Sequence, residues 1–168
     1  KMNKPVAEAL ALANSLKLEL ANVKEVDIVV CPPYTALESV SKAVLDSNIR
    51  LGAQNMSEHN FGAHTGEICA GMLKEFSVRY VILGHSERRQ YQKESDALIA
   101  KKAAAVHGAS LKPIVCVGET LVEGAQVLLG AALAAERQDE LGQLHLELAT
   151  QGDRGKLGVQ DTYLTLQL

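Results

Sequence analysis

Four short apolar runs, rich in β-branched residues and separated by helix-favouring stretches, recur along the first two thirds of the chain. Apolar runs without polar alternation are typical of strands buried on both faces, as in parallel sheets. The pattern therefore predicts an α/β fold whose four strands are parallel neighbours in chain order, joined by right-handed helical crossovers. These predicted strands lie at residues 26–30, 49–53, 79–83 and 113–117. The pattern leaves open whether the sheet is open or closes into a barrel.

Composition restricts the classes of protein that remain. With 168 residues, the chain is long enough for one domain with a proper core, and its 47% hydrophobic and 22% charged residues are typical of a globular protein. The net charge of -3 gives no reason to expect nucleic acid or an anionic membrane as a partner. No apolar run approaches the roughly 20 residues of a transmembrane helix, and no secretory signal is visible, so we expect a cytoplasmic protein.

The stretch Gly84–Arg89 directly follows the third predicted strand and concentrates chemically active side chains. An imidazole, a hydroxyl, a carboxylate and two guanidiniums occur in succession, and burying them unpaired would be very costly. A strand tip in a polar cleft avoids this cost and places His85 beside backbone N–H groups, which favour a neutral ring. Parallel α/β folds bind their ligands at the carboxyl ends of the strands. We therefore predict a site at this edge, with His85 as a candidate catalytic residue.

Other candidate sites have less support in the sequence. The cysteines lack a Cys-x-x-Cys pair and are far apart, so we interpret them as buried packing residues, not as metal ligands or nucleophiles. They are Cys31, Cys69 and Cys116. His59 and His64 have carboxylates nearby, but the stretch around them is polar and predicts a solvated loop. We expect neither a bound metal nor a cofactor.

One alternative enzyme class is a serine hydrolase. The residues Gly84–Arg88 approach the Gly-x-Ser-x-Gly turn that presents a nucleophilic serine in α/β-hydrolases. The fifth position of that sharp turn must be small, and here it is Arg88. No Asp and His follow at suitable strand ends to complete a triad. The sequence therefore disfavours this alternative.

Six segments resemble the triosephosphate isomerase family in order and spacing. They are Lys1–Asn3, Cys31–Pro33, Gly52–Asn55, Gly62–Glu67, Tyr80–Arg89 and Ile114–Thr120. The His-Ser-Glu-Arg-Arg run after a strand, followed later by Cys-Val-Gly-Glu-Thr, is highly specific. The resemblance covers residues 1–121 and implies the N-terminal half of a TIM (β/α)₈ barrel, an incomplete barrel with four parallel βα units. Residues 122–168 are then a divergent helix–turn–strand tail of the same domain.

The resemblance implies an isomerase of glycolysis and gluconeogenesis that interconverts dihydroxyacetone phosphate and glyceraldehyde 3-phosphate through an enediolate, without metal or cofactor. Lys1 matches the lysine that offers positive charge to the substrate phosphate and to the developing oxyanion. His85 matches the electrophile that polarises the carbonyl and moves protons between the two oxygens. Glu87 matches the carboxylate that helps to orient the lysine. The implied catalytic residues are thus His85, Lys1 and Glu87, and Lys1 also binds the substrate.

The resemblance also implies a homodimer. Four residues match positions around the loop that docks into a second subunit, and they are Gln54, Asn55, Thr65 and Glu67. Thr65 would approach His85 of the partner subunit, and Glu67 would approach Arg88 of the partner subunit. The segment 54–67 is polar, contains glycine and shows no helix or strand pattern over most of its length, as is usual for functional loops. We expect this segment to project from its own chain.

Motifs from the second half of the family's sequence are absent from these 168 residues. They are the Tyr-Glu-Pro-Val-Trp segment, whose glutamate abstracts the carbon-bound proton, the lid after it, and the Gly-Gly-Ser and Gly-Gly phosphate-binding turns. The chain contains no Trp at all. Residues 127–151 instead predict a helix, 152–155 a turn and 162–168 a strand of alternating leucines. We therefore expect an impaired isomerase, and the alternative is a non-catalytic truncated half-barrel fragment or a pseudoenzyme.

Overall fold

The computed structural model describes residues 1–118 and, as backbone, residues 163–167. The helices are α1 (Val6–Glu19), α2 (Tyr34–Ala43), α3 (Ala70–Glu75), α4 (Ser86–Tyr91) and α5 (Asp96–Gly108). The strands are β1 (Asp27–Cys31), β2 (Ile49–Ala53), β3 (Tyr80–Leu83), β4 (Lys112–Val115) and β5 (Tyr163–Gln167). The predicted helix at 127–151 and the predicted turn at 152–155 lie outside the described residues.

The five described strands form one parallel sheet with the order β4-β3-β2-β1-β5. The four strands predicted from the apolar runs are therefore parallel neighbours in chain order, which confirms that prediction. Their boundaries differ from the predicted ones by one or two residues at most. In the registers between them, Ile28 pairs with Ile49 and Gly52 pairs with Tyr80.

The two faces of this sheet are covered differently. One face shares a hydrophobic cluster, here called the outer core, with α1, α2, α3 and α5; Ile28, Leu51, Ala13 and Leu37 belong to it. The opposite face carries a smaller group, here called the inner cluster, to which no residue of the described helices contributes. The inner cluster consists of Val29, Cys31, Tyr80 and Ile82, with Ile114 and Cys116 packed against it. An open doubly wound sheet has helices on both faces, whereas a barrel has them only outside. The described residues therefore form an incomplete TIM barrel.

The edge at β4 exposes apolar side chains. Val115 is 42% exposed and Val117 is 75% exposed, and no strand in the described part of the chain pairs with the outer edge of β4. This exposure is expected where an incomplete barrel would continue with another strand. None of the described helices has both the length and the apolar composition of a transmembrane segment.

Gly52 allows β1, β2 and β3 to pack closely on the inner face. A Cβ at this position would lie 2.5 Å from Cys31 Sγ and 3.1 Å from Val29 Cγ1. We therefore expect Gly52→Ala to lower the free energy of unfolding by about 1–3 kcal/mol, the usual cost of overpacking, as measured by urea denaturation. Gly108→Ala is the matched control, since a Cβ on this last residue of α5 meets no heavy atom within 4 Å outside its own helix and chain neighbours. An equal loss of stability in both variants would contradict this account of Gly52.

Candidate active site

The carboxyl ends of β1 to β4 form one rim, and two side chains join these ends in pairs. Arg89 Nε donates to the Gly84 carbonyl at 2.7 Å, and Arg89 Nη2 donates to the Cys116 carbonyl at 3.2 Å. One guanidinium thus joins the ends of β3 and β4. Gln54 Nε2 donates to the Cys31 carbonyl at 2.8 Å and joins the end of β2 to that of β1. The edge that the sequence predicts for the site is therefore held together by hydrogen bonds that the sequence did not reveal.

The turn between β3 and α4 requires a glycine. Gly84 has a φ of +68°, a left-handed conformation that other residues adopt only with strain. A Cβ here would also lie 2.9 Å from Ile99 Cδ1 and 3.0 Å from Arg89 Nη2. The chain can therefore turn sharply at the end of β3 and place His85 directly at the rim.

His85 is the N-cap of α4, and the helix that follows fixes its ring. Its Nδ1 accepts a hydrogen bond from the backbone N–H of Glu87 at 3.2 Å. A ring nitrogen that accepts a hydrogen bond carries no proton, so this contact supports the expected neutral imidazole with its proton on Nε2. A neutral ring in this tautomer can donate from Nε2 to a carbonyl oxygen, as an electrophilic catalyst must.

The Glu87 carboxylate lies between Lys1 and His85. Lys1 Nζ is 3.1 Å from Glu87 Oε1, and His85 Nδ1 is 3.7 Å from Glu87 Oε2. The hydrogen bond from Lys1 lowers the pKa of the Glu87 carboxyl, and the positive charge of Lys1 acts in the same direction. Both members of the Lys1–Glu87 pair are about half exposed, so the pair adds little to stability and mainly positions the ammonium. The structure thus brings together the three residues expected to be catalytic.

Gln54 also holds the backbone of Lys1. The same Nε2 that bonds Cys31 donates to the Lys1 carbonyl at 3.1 Å. The resemblance placed Gln54 only near the dimer loop, whereas the structure places it inside the site, as an anchor for Lys1. The sequence could have indicated this role of Gln54, because Gln54 directly follows β2 and the strand tips were expected to meet at this rim.

The segment 54–67 divides into a packed base and an exposed outer part. The base is buried and consists of Asn55, Met56 and Ser57. Met56 belongs to the outer core, and the Ser57 N–H donates to the Ile68 carbonyl at 2.8 Å. Residues 59–67, which include Thr65 and Glu67, are exposed. The expectation that the whole segment projects is therefore wrong for residues 55–57. The exposed residues of this segment are 59–67, and they include two of the four residues expected at a subunit contact.

A buried ionic cluster lies at the base of this segment. Glu94 Oε1 accepts from Lys102 Nζ at 2.6 Å and from Arg88 Nε at 2.8 Å. Burial works to raise the pKa of the Glu94 carboxyl, but the hydrogen bonds from Lys102 and Arg88 outweigh it and the pKa is lowered. Lys102 Nζ also donates to Asn55 Oδ1 at 3.1 Å, and the Tyr34 hydroxyl donates to the Asn55 carbonyl. Arg88, expected at a subunit contact, is thus already engaged within its own chain.

The other candidate residues form no second site in residues 1–118. Cys31 and Cys69 are buried, and burial raises the pKa of the Cys31 thiol to about 12, so this thiol is a poor nucleophile at neutral pH. His59 and His64 stack with ring centroids 4.2 Å apart. No group of three His, Cys, Asp or Glu side chains in the described residues is arranged to hold a metal ion.

Known proteins resemble this chain in sequence and in structure. The family described as triosephosphate isomerase matches residues 1–147. A triosephosphate isomerase from Alkaliphilus oremlandii is 54% identical over 123 residues, which are 73% of this chain and 49% of the relative. One from Endomicrobium trichonymphae is 43% identical over 150 residues, 89% of this chain and 60% of the relative. The crystal structure of triosephosphate isomerase from Bartonella henselae matches with a TM-score of 0.69 and 35% identity, over 84% of this chain and 60% of that one.

These matches define the extent of the similarity. The chain spans about half to three fifths of the length of these curated relatives. The family match extends to residue 147, beyond Leu121, where the recognisable motifs end. The family match covers most of the chain, and a solved triosephosphate isomerase shares its fold. This chain therefore belongs to the triosephosphate isomerase family.

Proposed function

We propose that this chain supplies the lysine–histidine half of an isomerase site that acts on dihydroxyacetone phosphate and glyceraldehyde 3-phosphate. The observation that carries the proposal is the position of Lys1 and His85 on either side of the Glu87 carboxylate. This arrangement lies at the carboxyl ends of the parallel strands, where barrel enzymes bind their substrates. Membership of the family supplies the reaction and the substrates.

In the proposed reaction, Lys1 and His85 act on the oxygen atoms of the substrate. His85 donates its Nε2 proton in a hydrogen bond to the carbonyl oxygen, and it stabilises the enediolate that forms when the neighbouring carbon loses a proton. The Lys1 ammonium offsets the negative charge of the phosphate and of the developing oxyanion. Glu87 and Gln54 hold Lys1 by its ammonium and its carbonyl, and they take no part in the proton transfers.

The carbon-bound proton needs a base, and none of the 168 residues matches the family's catalytic glutamate. We therefore propose that this polypeptide binds triose phosphate weakly and isomerises it slowly. The second candidate is a non-catalytic member of the family, either a fragment or a pseudoenzyme. It is favoured by the absence of the family's catalytic glutamate and phosphate-binding turns from these 168 residues.

The proposed setting is a homodimer in the cytoplasm. The exposed residues 59–67, with Thr65 and Glu67 among them, form the surface that would meet a second copy. The three cysteines are free, which fits a reducing compartment.

Binding of phosphoglycolate tests the proposed site, because this compound carries a phosphate and a carboxylate that imitates the enediolate. We expect titration with phosphoglycolate to shift the ¹⁵N and ¹H signals of the His85 ring. We expect Lys1→Met to weaken binding at least about tenfold, since a hydrogen bond to a charged group contributes about 1.5–3 kcal/mol. NMR titration of the labelled full-length chain measures both effects.

Lys4→Met is the matched control for this experiment. Lys4 lies close to Lys1 in the chain, but its ammonium pairs with Glu8 at 3.7 Å instead of Glu87. This variant should keep the affinity of the wild type. The proposed function fails if phosphoglycolate leaves the His85 signals unchanged, or if Lys4→Met weakens binding as much as Lys1→Met.

A further inference from the structure

The C-terminal strand β5 pairs with β1 along the whole length of β1. Five residue pairs align them in parallel, from Asp27 with Tyr163 to Cys31 with Gln167, whereas β1 and β2 share three such pairs. β5 is distant from β1 in sequence, yet it extends the sheet on the side opposite to β2. The position of β5 is therefore set by long-range pairing and not by chain order.

The alternation of leucines in β5 is in phase with β1. Leu164 and Leu166 hold the register positions of Ile28 and Val30, which belong to the outer core. Thr165 holds the position of Val29, which belongs to the inner cluster. The leucines of β5 therefore share register positions with residues of the outer core, and Thr165 shares one with a residue of the inner cluster. A shift by one residue would exchange these positions, so the alternating sequence of β5 favours this register.

Barrel topology determines which strand is expected beside β1 on the side opposite to β2. In a β/α barrel each strand is followed by its helix and then by the next strand, with right-handed crossovers. The strand that precedes α1 therefore belongs beside β1, on the side opposite to β2. Residues 1–5, which lead into α1, form no strand in this structure. Among the described strands, β5 is the one that lies at this position.

This position connects β5 to the candidate active site. Gln167 is in register with Cys31, the last residue of β1. The Cys31 carbonyl accepts from Gln54 Nε2, and the same nitrogen donates to the Lys1 carbonyl. The end of β5 is thus one strand away from the hydrogen bonds that anchor Lys1, and Lys1 in turn contacts Glu87.

We propose that β5 is a positioning element for Lys1: it pairs with β1 on the side opposite to β2 and steadies the Cys31 end of β1, to which Gln54 ties Lys1. The placement of β5 and its effect on the Lys1–Glu87 contact stand independently of catalysis. Only the benefit to substrate binding rests on the proposed function.

Disulfide trapping tests the placement of β5. In a background with the three native cysteines replaced by alanine, we expect Asp27→Cys with Tyr163→Cys to form an intrachain disulfide on mild oxidation. Neighbouring strands lie about 4.8 Å apart, which suits a disulfide. Asp27→Cys with Thr165→Cys is the matched control, because its offset of two residues raises the separation to about 8 Å, beyond bridging distance. Equal crosslinking of both pairs, or crosslinks only between chains, would overturn the placement.

The effect on Lys1 is tested through the titration of Glu87. The Lys1 hydrogen bond holds the pKa of Glu87 low, so a variant lacking residues 163–168 should show a Glu87 carboxyl pKa closer to its ordinary value. NMR of the side-chain carboxyl carbon measures this pKa, and the backbone amide signals of β3 and β4 report whether these strands remain folded. Gln54→Leu should raise the Glu87 pKa in the same way while the 27–163 disulfide still forms, because it cuts the tether and leaves β5 in place.

The outcomes separate the two proposals. An unchanged Glu87 pKa, in a folded chain without residues 163–168 or in Gln54→Leu, would overturn the positioning role of β5. If the chain without residues 163–168 unfolds, Gln54→Leu and the disulfide pair test the positioning role of β5 in the 168-residue chain. Failure of the wild-type chain to bind phosphoglycolate would instead refute the proposed function, while the disulfide and titration results would stay as expected.

Discussion

The purified 168-residue chain is expected to interconvert the two triose phosphates at a rate close to the uncatalysed background. Removing a proton from carbon needs a positioned base, and general acid–base groups each contribute about 10²–10⁴-fold to the rate. The family's glutamate and phosphate-binding turns have no match in the sequence. Lys1 and His85 can polarise a carbonyl, but a substrate misplaced by even about 1 Å reacts on the order of 10²-fold more slowly. These losses multiply.

A coupled dehydrogenase assay measures this turnover, with His85→Gln as the control for contaminating host isomerase. Residual activity that disappears in His85→Gln identifies an impaired enzyme, whereas equal rates in both proteins identify a non-catalytic family member. A kcat/KM above about 10⁶ M⁻¹s⁻¹, a hundredfold below a diffusional ceiling of about 10⁸ M⁻¹s⁻¹, that is lost in His85→Gln would contradict the expectation. It would show that residues 122–168 or a partner chain supply a base.

Glu94→Ala is expected to lower the free energy of unfolding by about 3–5 kcal/mol, the usual cost of removing one partner from a buried ion pair. The Lys102 and Glu94 side chains are 5% and 3% exposed, so the variant leaves the Lys102 ammonium buried beside Asn55 without its carboxylate. Arg88 loses its Nε acceptor at the same time. Urea denaturation followed by circular dichroism measures the loss.

Glu38→Ala is the matched control for this loss. The Lys42–Glu38 pair has the same Nζ–Oε1 distance of 2.6 Å, but its side chains are 75% and 62% exposed. Exposed ion pairs contribute about 0–1 kcal/mol, so Glu38→Ala should be nearly neutral. Similar losses of unfolding free energy in the two variants would show that burial does not account for the contribution of the Lys102–Glu94 pair to stability.

Acid should reduce the difference between the wild type and Glu94→Ala. The pKa of Glu94 is lowered in the folded chain, so its contribution is complete above the ordinary carboxyl pKa and is lost as the pH falls through the lowered value. Denaturation at neutral and acidic pH measures this convergence. A difference that stays constant into strong acid would contradict the ionic origin of the contribution.

The candidate site was partly predictable because two local rules agree on it. Strand tips were expected to meet at one edge, and the polar residues after Gly84 were expected to lie at such a tip. Gly84, with a φ of +68°, provides the turn that places them there. The resemblance added Lys1 and Glu87, and in the structure Glu87 contacts Lys1 and lies beside His85. Gln54 could not be assigned its role, because its two acceptors are backbone carbonyls at Lys1 and Cys31, and sequence pattern does not show which carbonyls a side chain will reach.

The sequence contains a pattern that indicates the burial of Lys102, although the sequence analysis did not use it. Ile99, Lys102 and Val106 are spaced by three and four residues and are all buried, so they share one face of α5. A lysine on an apolar helix face needs a buried partner. The sequence did not show which carboxylate would pair with Lys102. Glu94 lies before the helix, and Lys102 contacts both Glu94 and Asn55 in the folded chain.

The sequence by itself determined the four βα units, their parallel order and the edge that carries the site, because hydrophobic periodicity and turn residues act over short distances. Only the tertiary structure showed that the described helices cover one face of the sheet, which distinguishes a barrel from an open sheet. Only the tertiary structure paired β5 with β1, although the alternating leucines had predicted a strand there. These features depend on contacts between residues that are distant in the chain. A local pattern can indicate that a face or an edge must be covered, but it does not indicate which segment covers it.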